Sequence, residues 1–261
     1  MTSRAGAPMR ACVQERRVLS DHLVRLRLGL PDFVSGGIPD EWVALTVPGQ
    51  FQTRYYTVRS CSAGEVVIDV VLHEEGLVTE WAQTDCVGEE VGVSVPRGSF
   101  DLPEDAGWLV LVGDLTAVPA IARILETMAR SGRTLRTSSY VEAPEGTAEA
   151  YPDLPPDEVT WLSPPSGHDS ALAEMVRGID WPEGPGYFWM AGESAQMRDI
   201  RRHLRHDVGF ESSRYDVMGY WSGSRGRRAR AVDPAFVYAR GKREGRSDEQ
   251  IWADYDDASD S

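Results

Sequence analysis

Lysine is almost missing from this chain: Lys242 is the only one among 261 residues, and every other basic side chain is arginine. Any cationic pocket must therefore be built from guanidinium groups, which pair bidentately with phosphate or carboxylate. An excess of basic charge is missing too. The formal net charge is −14, which argues against nonspecific binding to nucleic acid. No run of eighteen apolar residues occurs, so no membrane-spanning helix is expected. The first residues lack the apolar core of a secretory signal, and a cytoplasmic location is expected. Cys12, Cys61 and Cys86 are widely spaced and odd in number. They offer neither a disulfide framework nor metal-ligand spacing, so reduced thiols and no metal site are expected. Gly-x-Gly-x-x-Gly is absent, which excludes the standard dinucleotide fingerprint.

What is present reads as two kinds of structure in succession. From Met9 to Val95 the signals are strands. Leu23–Leu28 alternates, Trp42–Val47 is an apolar run stopped by Pro48-Gly49, and Glu65–His73 and Glu90–Val95 follow. Short strands at this spacing predict a closed antiparallel barrel. The segment Glu80–Gln83 interrupts them as a short helix, with Thr79 as its expected N-cap. A helix start there would aim unpaired N–H groups at an anion.

After Gly107 the period changes. Trp108–Val112 is continuously apolar, as for a strand buried on both faces. Next come Gly113-Asp114-Leu115-Thr116-Ala117, then a helix with Ile121, Ile124, Leu125 and Met128 at i, i+3, i+4 and i+7. Thr116 is its expected cap and Gly132 its stop. Strands are expected at 135–141, 159–162, 187–191 and 215–221, and helices at 171–176 and around Met197, Ile200 and Leu204. Residues 144–156 read as a loop. Strands alternating with helices predict a parallel sheet. Arg198, Arg201, Arg202 and Arg205 form the outer face of the last helix and read as a solvated face.

The stretch Arg54-Tyr55-Tyr56-Thr57-Val58-Arg59-Ser60 is the most unusual strand. An arginine, a flat ring and a hydroxyl within four residues suit a dinucleotide with a pyrophosphate and a planar redox ring. Arg54, Tyr56 and Thr57 form Arg-x-Tyr-Thr, which resembles the flavin motif of ferredoxin-reductase-like enzymes. With Arg59 it resembles the siderophore-interacting protein family, FAD-dependent ferric-siderophore reductases. His73, then Gly76-Leu77-Val78-Thr79 and Trp81-Ala82, are similar to that family's His, Gly-Pro-Ala-Ser and Trp-Ala, with Leu77 and Val78 departing. Pro96-Arg97-Gly98 resembles the end of its barrel, with Val95 in place of a glycine. Residues 113–121 match its Gly-Asp-Glu-Thr-Ala-Leu-Pro-Ala-Ile at seven of nine positions, with Leu115 for the acid and Val118 for Leu. Trp189-Met190-Ala191-Gly192-Glu193 and Gly219-Tyr220-Trp221 resemble two further motifs, in the same order.

The resemblance implies a fold and a set of roles. Residues 1–103 would be an antiparallel FAD-binding barrel and 104–224 a Rossmann-like parallel-sheet domain for NADH or NADPH, followed by a tail at 225–261. Arg54 and the Gly76, Val78, Thr79 helix start would hold flavin phosphates. Tyr56 would stack on the ring and Thr57 would bond its reactive edge, which makes these two the expected catalytic residues. Val58, Arg59 and His73 would assist. Gly113, Asp114, Thr116, Ala117 and Glu193 would line the nicotinamide-nucleotide site, and Tyr220 and Trp221 would cover the flavin. Glu142 stands where an acid reads ribose hydroxyls and repels a 2′-phosphate, which favours NADH. The implied substrate is a ferric siderophore. Another flavin oxidoreductase on the same scaffold, or a non-catalytic flavin or iron-chelate binder, are the alternatives.

Overall fold

The computed structural model describes residues 8–49, 53–73, 76–152, 154–165 and 170–222; the tail expected at 225–261 lies outside them. Six strands form the first half: β1 (Met9–Ser20), β2 (Leu23–Gly29), β3 (Trp42–Thr46), β4 (Arg54–Ser62), β5 (Glu65–Val71) and β6 (Glu90–Val93), with α1 (Leu77–Gln83) between the last two. They close into an antiparallel barrel in the order β1-β2-β5-β4-β3-β6. Period-two patterning explains the closure. In β2, Val24, Leu26 and Leu28 point inward and are fully buried, while Arg25 and Arg27 point out. Val43, Leu45, Val58, Val66, Ile68, Val70, Val91 and Val93 complete the interior.

Helix α1 lays Val78, Trp81 and Ala82 onto this core, and the Trp81 indole N–H donates to Glu89 at 2.6 Å. Its cap differs from the expectation. The helix starts at Leu77 after Gly76, whose φ of 149° suits glycine. Thr79 lies inside the first turn, and its hydroxyl accepts the backbone N–H of His73 at 3.3 Å.

The second half is a parallel sheet in the order β11-β10-β7-β8-β9. Its elements are β7 (Trp108–Asp114), α2 (Val118–Ser131), β8 (Arg136–Glu142), α3 (Thr147–Ala150), β9 (Val159–Leu162), α4 (Leu172–Arg177), β10 (Gly186–Glu193), α5 (Ser194–His203) and β11 (Tyr215–Trp221). Every residue of β7 is buried, as its apolar run requires. In α2, Ile121, Ile124 and Leu125 face inward, and Gly132 ends the helix in the left-handed region at φ 69°. Thr116 does not cap it: a short 3-10 turn, Leu115–Ala117, intervenes, and Asp114 caps that turn. The loop expected at 144–156 contains α3. Met197, Ile200 and Leu204 do point inward, and no helix of the described residues is long and apolar enough to cross a membrane.

Barrel and sheet meet through buried polar groups as well as apolar ones. Arg123 on α2 reaches the barrel, donating to the Val58 carbonyl at 3.0 Å and to Glu41 at 3.1 Å. Arg59 on β4 reaches the opposite way and forks onto Glu126 at 2.5 and 3.1 Å. Tyr151 donates to Asp69 at 2.6 Å, and Asp69 is held from its own side by Arg25 at 2.7 and 2.8 Å. The Trp189 indole donates to Asp40 at 3.3 Å.

Candidate functional site

Strand β4 carries the barrel's contribution. Arg54 stands exposed at its head, and Tyr56 is half-buried against the barrel core. Burial pushes the Tyr56 phenol up, with Arg54 pulling the other way, so it stays protonated at neutral pH. Thr57 is buried opposite Trp42. The next two residues turn to other tasks. Val58 puts its side chain in the barrel core, its N–H on the Glu41 carbonyl at 2.7 Å and its carbonyl on Arg123. Its N–H is thus already committed within the protein. Arg59 is buried, and both its terminal nitrogens hold Glu126. Their contacts make Val58 and Arg59 the junction between barrel and α2.

Two residues beyond the end of β5, His73 stands exposed within electrostatic reach of Asp114. Shielding lowers the pKa of its imidazole, and the Asp114 carboxylate opposes that shift across the gap. A His with a lowered pKa is neutral at pH 7. Gly76 and Thr79 follow on the same rim, whereas the Val78 side chain is buried in the barrel core, leaving only its backbone to the rim.

On the sheet side, three glycines let the strand ends converge. A Cβ on Gly113 would lie 2.3 Å from that of Ala117 and 3.1 Å from the Ala191 carbonyl. A Cβ on Gly192 would lie 2.8 Å from Asp114 Oδ2, and one on Gly219 would lie 2.5 Å from Ser194 Oγ. Asp114 sits in the space this leaves. Its Oδ1 accepts the Thr116 backbone N–H at 2.9 Å and the Thr116 hydroxyl at 2.5 Å. Its Oδ2 accepts the Trp221 indole N–H at 2.7 Å. Burial pushes this carboxyl up; the Thr116 and Trp221 bonds pull it down, and nearby Glu142 pushes it up.

Tyr220 and Trp221 are neighbours in sequence, yet each reaches an expected site residue, Tyr220 beside Thr57 and Trp221 on Asp114. In β11, Met218 and Tyr220 pack toward the barrel side while Tyr215 and Val217 pack behind. The register with β10 slips between Gly192 and Glu193, so that Glu193 faces Trp221. This bulge re-aims Trp221 toward Asp114. The Tyr220 hydroxyl is buried and has no hydrogen-bond partner; Thr57 is one of the groups acting on it.

Several residues expected to act together are therefore close: Thr57 with Tyr220, His73 with Asp114, and Asp114 with Thr116 and Trp221. Glu193 stands at the N-cap position of α5, within 3.4 Å of the Gln196 side-chain amide. Glu142 is buried, and its Oε2 accepts the Ala171 N–H at 2.8 Å, which ties it to the start of α4. Sequence reasoning missed Asp40, Glu41, Arg123, Glu126 and Asp216. Arg123 and Glu126 are three apart on α2; an arginine beside the apolar face of that helix was the one available signal.

The orphaned Tyr220 hydroxyl tests the fit of a flavin. It is a buried donor without a partner, beside Thr57 of the strand that also carries the half-buried Tyr56 and the exposed Arg54. A planar ring with hydrogen-bonding edges and a phosphate tail satisfies these groups.

Comparison with known proteins agrees. The Siderophore-interacting FAD-binding domain model matches residues 31–100, and the Siderophore-interacting protein model matches residues 106–224. Ferric vibriobactin reductase ViuB of Vibrio cholerae is 31% identical over 64% of this chain and 64% of its own length. The mycobactin import ATP-binding/permease protein IrtA of Mycobacterium tuberculosis is 30% identical over 86% of this chain, which spans only 27% of that protein. A siderophore utilization protein from T. fusca superposes with a TM-score of 0.72 at 26% identity, over 87% of this chain and 98% of its own. The fold is that of ferredoxin-reductase-like FAD- and NAD-binding proteins.

Proposed function

We propose, for a chain that belongs to the siderophore-interacting protein family, that it is an FAD-dependent NAD(P)H:ferric-siderophore oxidoreductase. The observation that carries this reading is the meeting of Thr57 on β4 with Tyr220 and the Asp114–Trp221 pair at the sheet's edge. FAD, when bound, would supply the redox chemistry that links a two-electron donor, NAD(P)H, to a one-electron acceptor, Fe(III).

The chain's own residues do the rest. Arg54 and the Gly76–Thr79 rim would hold the pyrophosphate. The neutral Tyr56 ring would support the isoalloxazine, while Thr57 and Tyr220 would offer it hydrogen bonds. The turn at Gly113, Asp114, Thr116 and Ala117, with Glu193 beside it, brings the nicotinamide nucleotide to the other face. Neutral His73 adds a polar group to the cleft without adding charge. Reduction suits release of iron, because hard anionic oxygen ligands hold Fe(III) more firmly than Fe(II). Ferric vibriobactin reduction by a relative supports this substrate class.

The coenzyme choice turns on Glu142. Its bond to Ala171 fixes the carboxylate at the C-terminal end of β8, where it disfavours a 2′-phosphate, so NADH is the expected donor. The test is an anaerobic absorbance spectrum of the FAD-loaded protein. Addition of NADH should bleach the flavin band, and a ferric chelate should restore it. Bleaching that ferric chelates leave unchanged would point to another oxidoreductase on this scaffold. A flavin that neither coenzyme bleaches would refute catalysis.

A further inference from the structure

The Asp114 carboxylate is placed beside the nucleotide turn, but its acceptor positions are already engaged. Oδ1 holds two donors from Thr116, and Oδ2 holds the Trp221 indole N–H at 2.7 Å. The opposite flank is Gly192, where a Cβ would stand 2.8 Å from Oδ2. The chain thus gives up a side chain on β10 to make room for this one bond. Trp221 is held at a second point, where the Ser194 hydroxyl donates to its carbonyl at 2.9 Å. Gly219 is what lets Ser194 approach, since a Cβ there would clash at 2.5 Å. Two glycines, an acid and a hydroxyl from β7, β10, the start of α5 and β11 thus combine to hold one residue, Asp114 at its indole and Ser194 at its backbone. Such over-determination is the mark of a side chain whose orientation matters.

We propose that Asp114 is a positioning residue: it latches the Trp221 indole across the ends of β7 and β10 and so sets how readily the nicotinamide ring enters. This rests on the reading of the cleft as a flavin–nicotinamide site. The Asp114 carboxylate acts through Trp221, and only the backbone of its turn is left to the nucleotide. Because the latch opposes entry of the ring, releasing it should tighten nucleotide binding. The expected gain is about five-fold, the equilibrium equivalent of one ordinary hydrogen bond.

The test uses the FAD-loaded full chain and the variants D114N, W221F and D114N/W221F. NAD⁺ and NADP⁺ serve as non-reducing probes, titrated by their perturbation of the flavin spectrum. Both single variants should bind the preferred nucleotide several-fold more tightly, and the double variant should bind no more tightly than W221F. Independent effects that add would show direct contact between Asp114 and nucleotide, and would overturn the proposal. W221F leaves the cap on the 3-10 turn intact, so it carries the test even if D114N folds poorly.

A second readout needs no nucleotide. The chain has eight tryptophans, and the indole N–H resonance missing from W221F identifies Trp221. That resonance should shift in D114N while the other seven stay in place; an unmoved resonance would overturn the latch. A wild-type chain that binds neither nucleotide would instead overturn the functional reading beneath it, and the indole shift tells these two failures apart.

Discussion

Single residues here carry their information in what they are bonded to. Asp216 is an example that no pattern announces. It lies on the barrel-facing side of β11, and its Oδ2 is buried without a partner. Burial, and then the neighbouring Asp40 carboxylate, raise its pKa from 3.8 to about 6, against the pull of Ser99 and Arg201. The folded state therefore holds this proton more tightly than the unfolded chain does. The stabilisation is complete below pH 4 and is lost as pH rises through 6, on the order of 3 kcal/mol. Asp216→Asn should remove that part of the pH dependence, measured as Tm between pH 4 and 8; an unchanged profile would show that Asp216 titrates normally. In the sequence, Asp216 is one acid among 41. Tyr56, Thr57 and Asp114 were legible because their neighbours formed a chemical motif, whereas a buried carboxyl on a strand has no local signature.

At the scale of elements, hydrophobic period gave the strands and helices almost throughout. The continuous run of β7 and the alternation of β2 left little freedom. What the pattern misjudged was the helix starts. Thr79 and Thr116 are good capping residues by type, but each hydroxyl is used elsewhere: Thr79 for the backbone of His73, Thr116 for Asp114. Helix α3 escaped notice because four residues are too few to show a period. The partners of Arg123 and Glu126 were not legible for a tertiary reason, since Arg123 pairs with Glu41 of the barrel and Glu126 takes Arg59 from it. Arg123→Met should cost about 3–5 kcal/mol in urea unfolding, because it strands the buried Glu41 charge. Arg123→Met with Glu41→Leu should recover a large part of that loss. A single variant within 1 kcal/mol of wild type, an ordinary surface change, would show that Glu41 is adequately satisfied by Ser35 and Gly36 alone.

At the scale of the whole molecule, the two halves were visible in sequence as a change of period near Gly107, and their order was right. Their junction was not visible, since its partners lie 65 to 149 positions apart, as with Arg123–Val58 and Trp189–Asp40. So many shared buried groups should make barrel and sheet unfold together. Calorimetry should show one transition whose van't Hoff and calorimetric enthalpies agree; two separated transitions would mean that the halves are stable alone. The two inter-half ion pairs also run in opposite directions. Glu41 of the barrel takes an arginine from α2, and Glu126 of α2 takes an arginine from the barrel. This reciprocity works as an address. A barrel transplanted onto a related sheet would have to present the acid and the base in the same two places, or meet like charge in a buried seam. The halves are therefore a matched pair, to be exchanged between relatives only together with both ends of the seam.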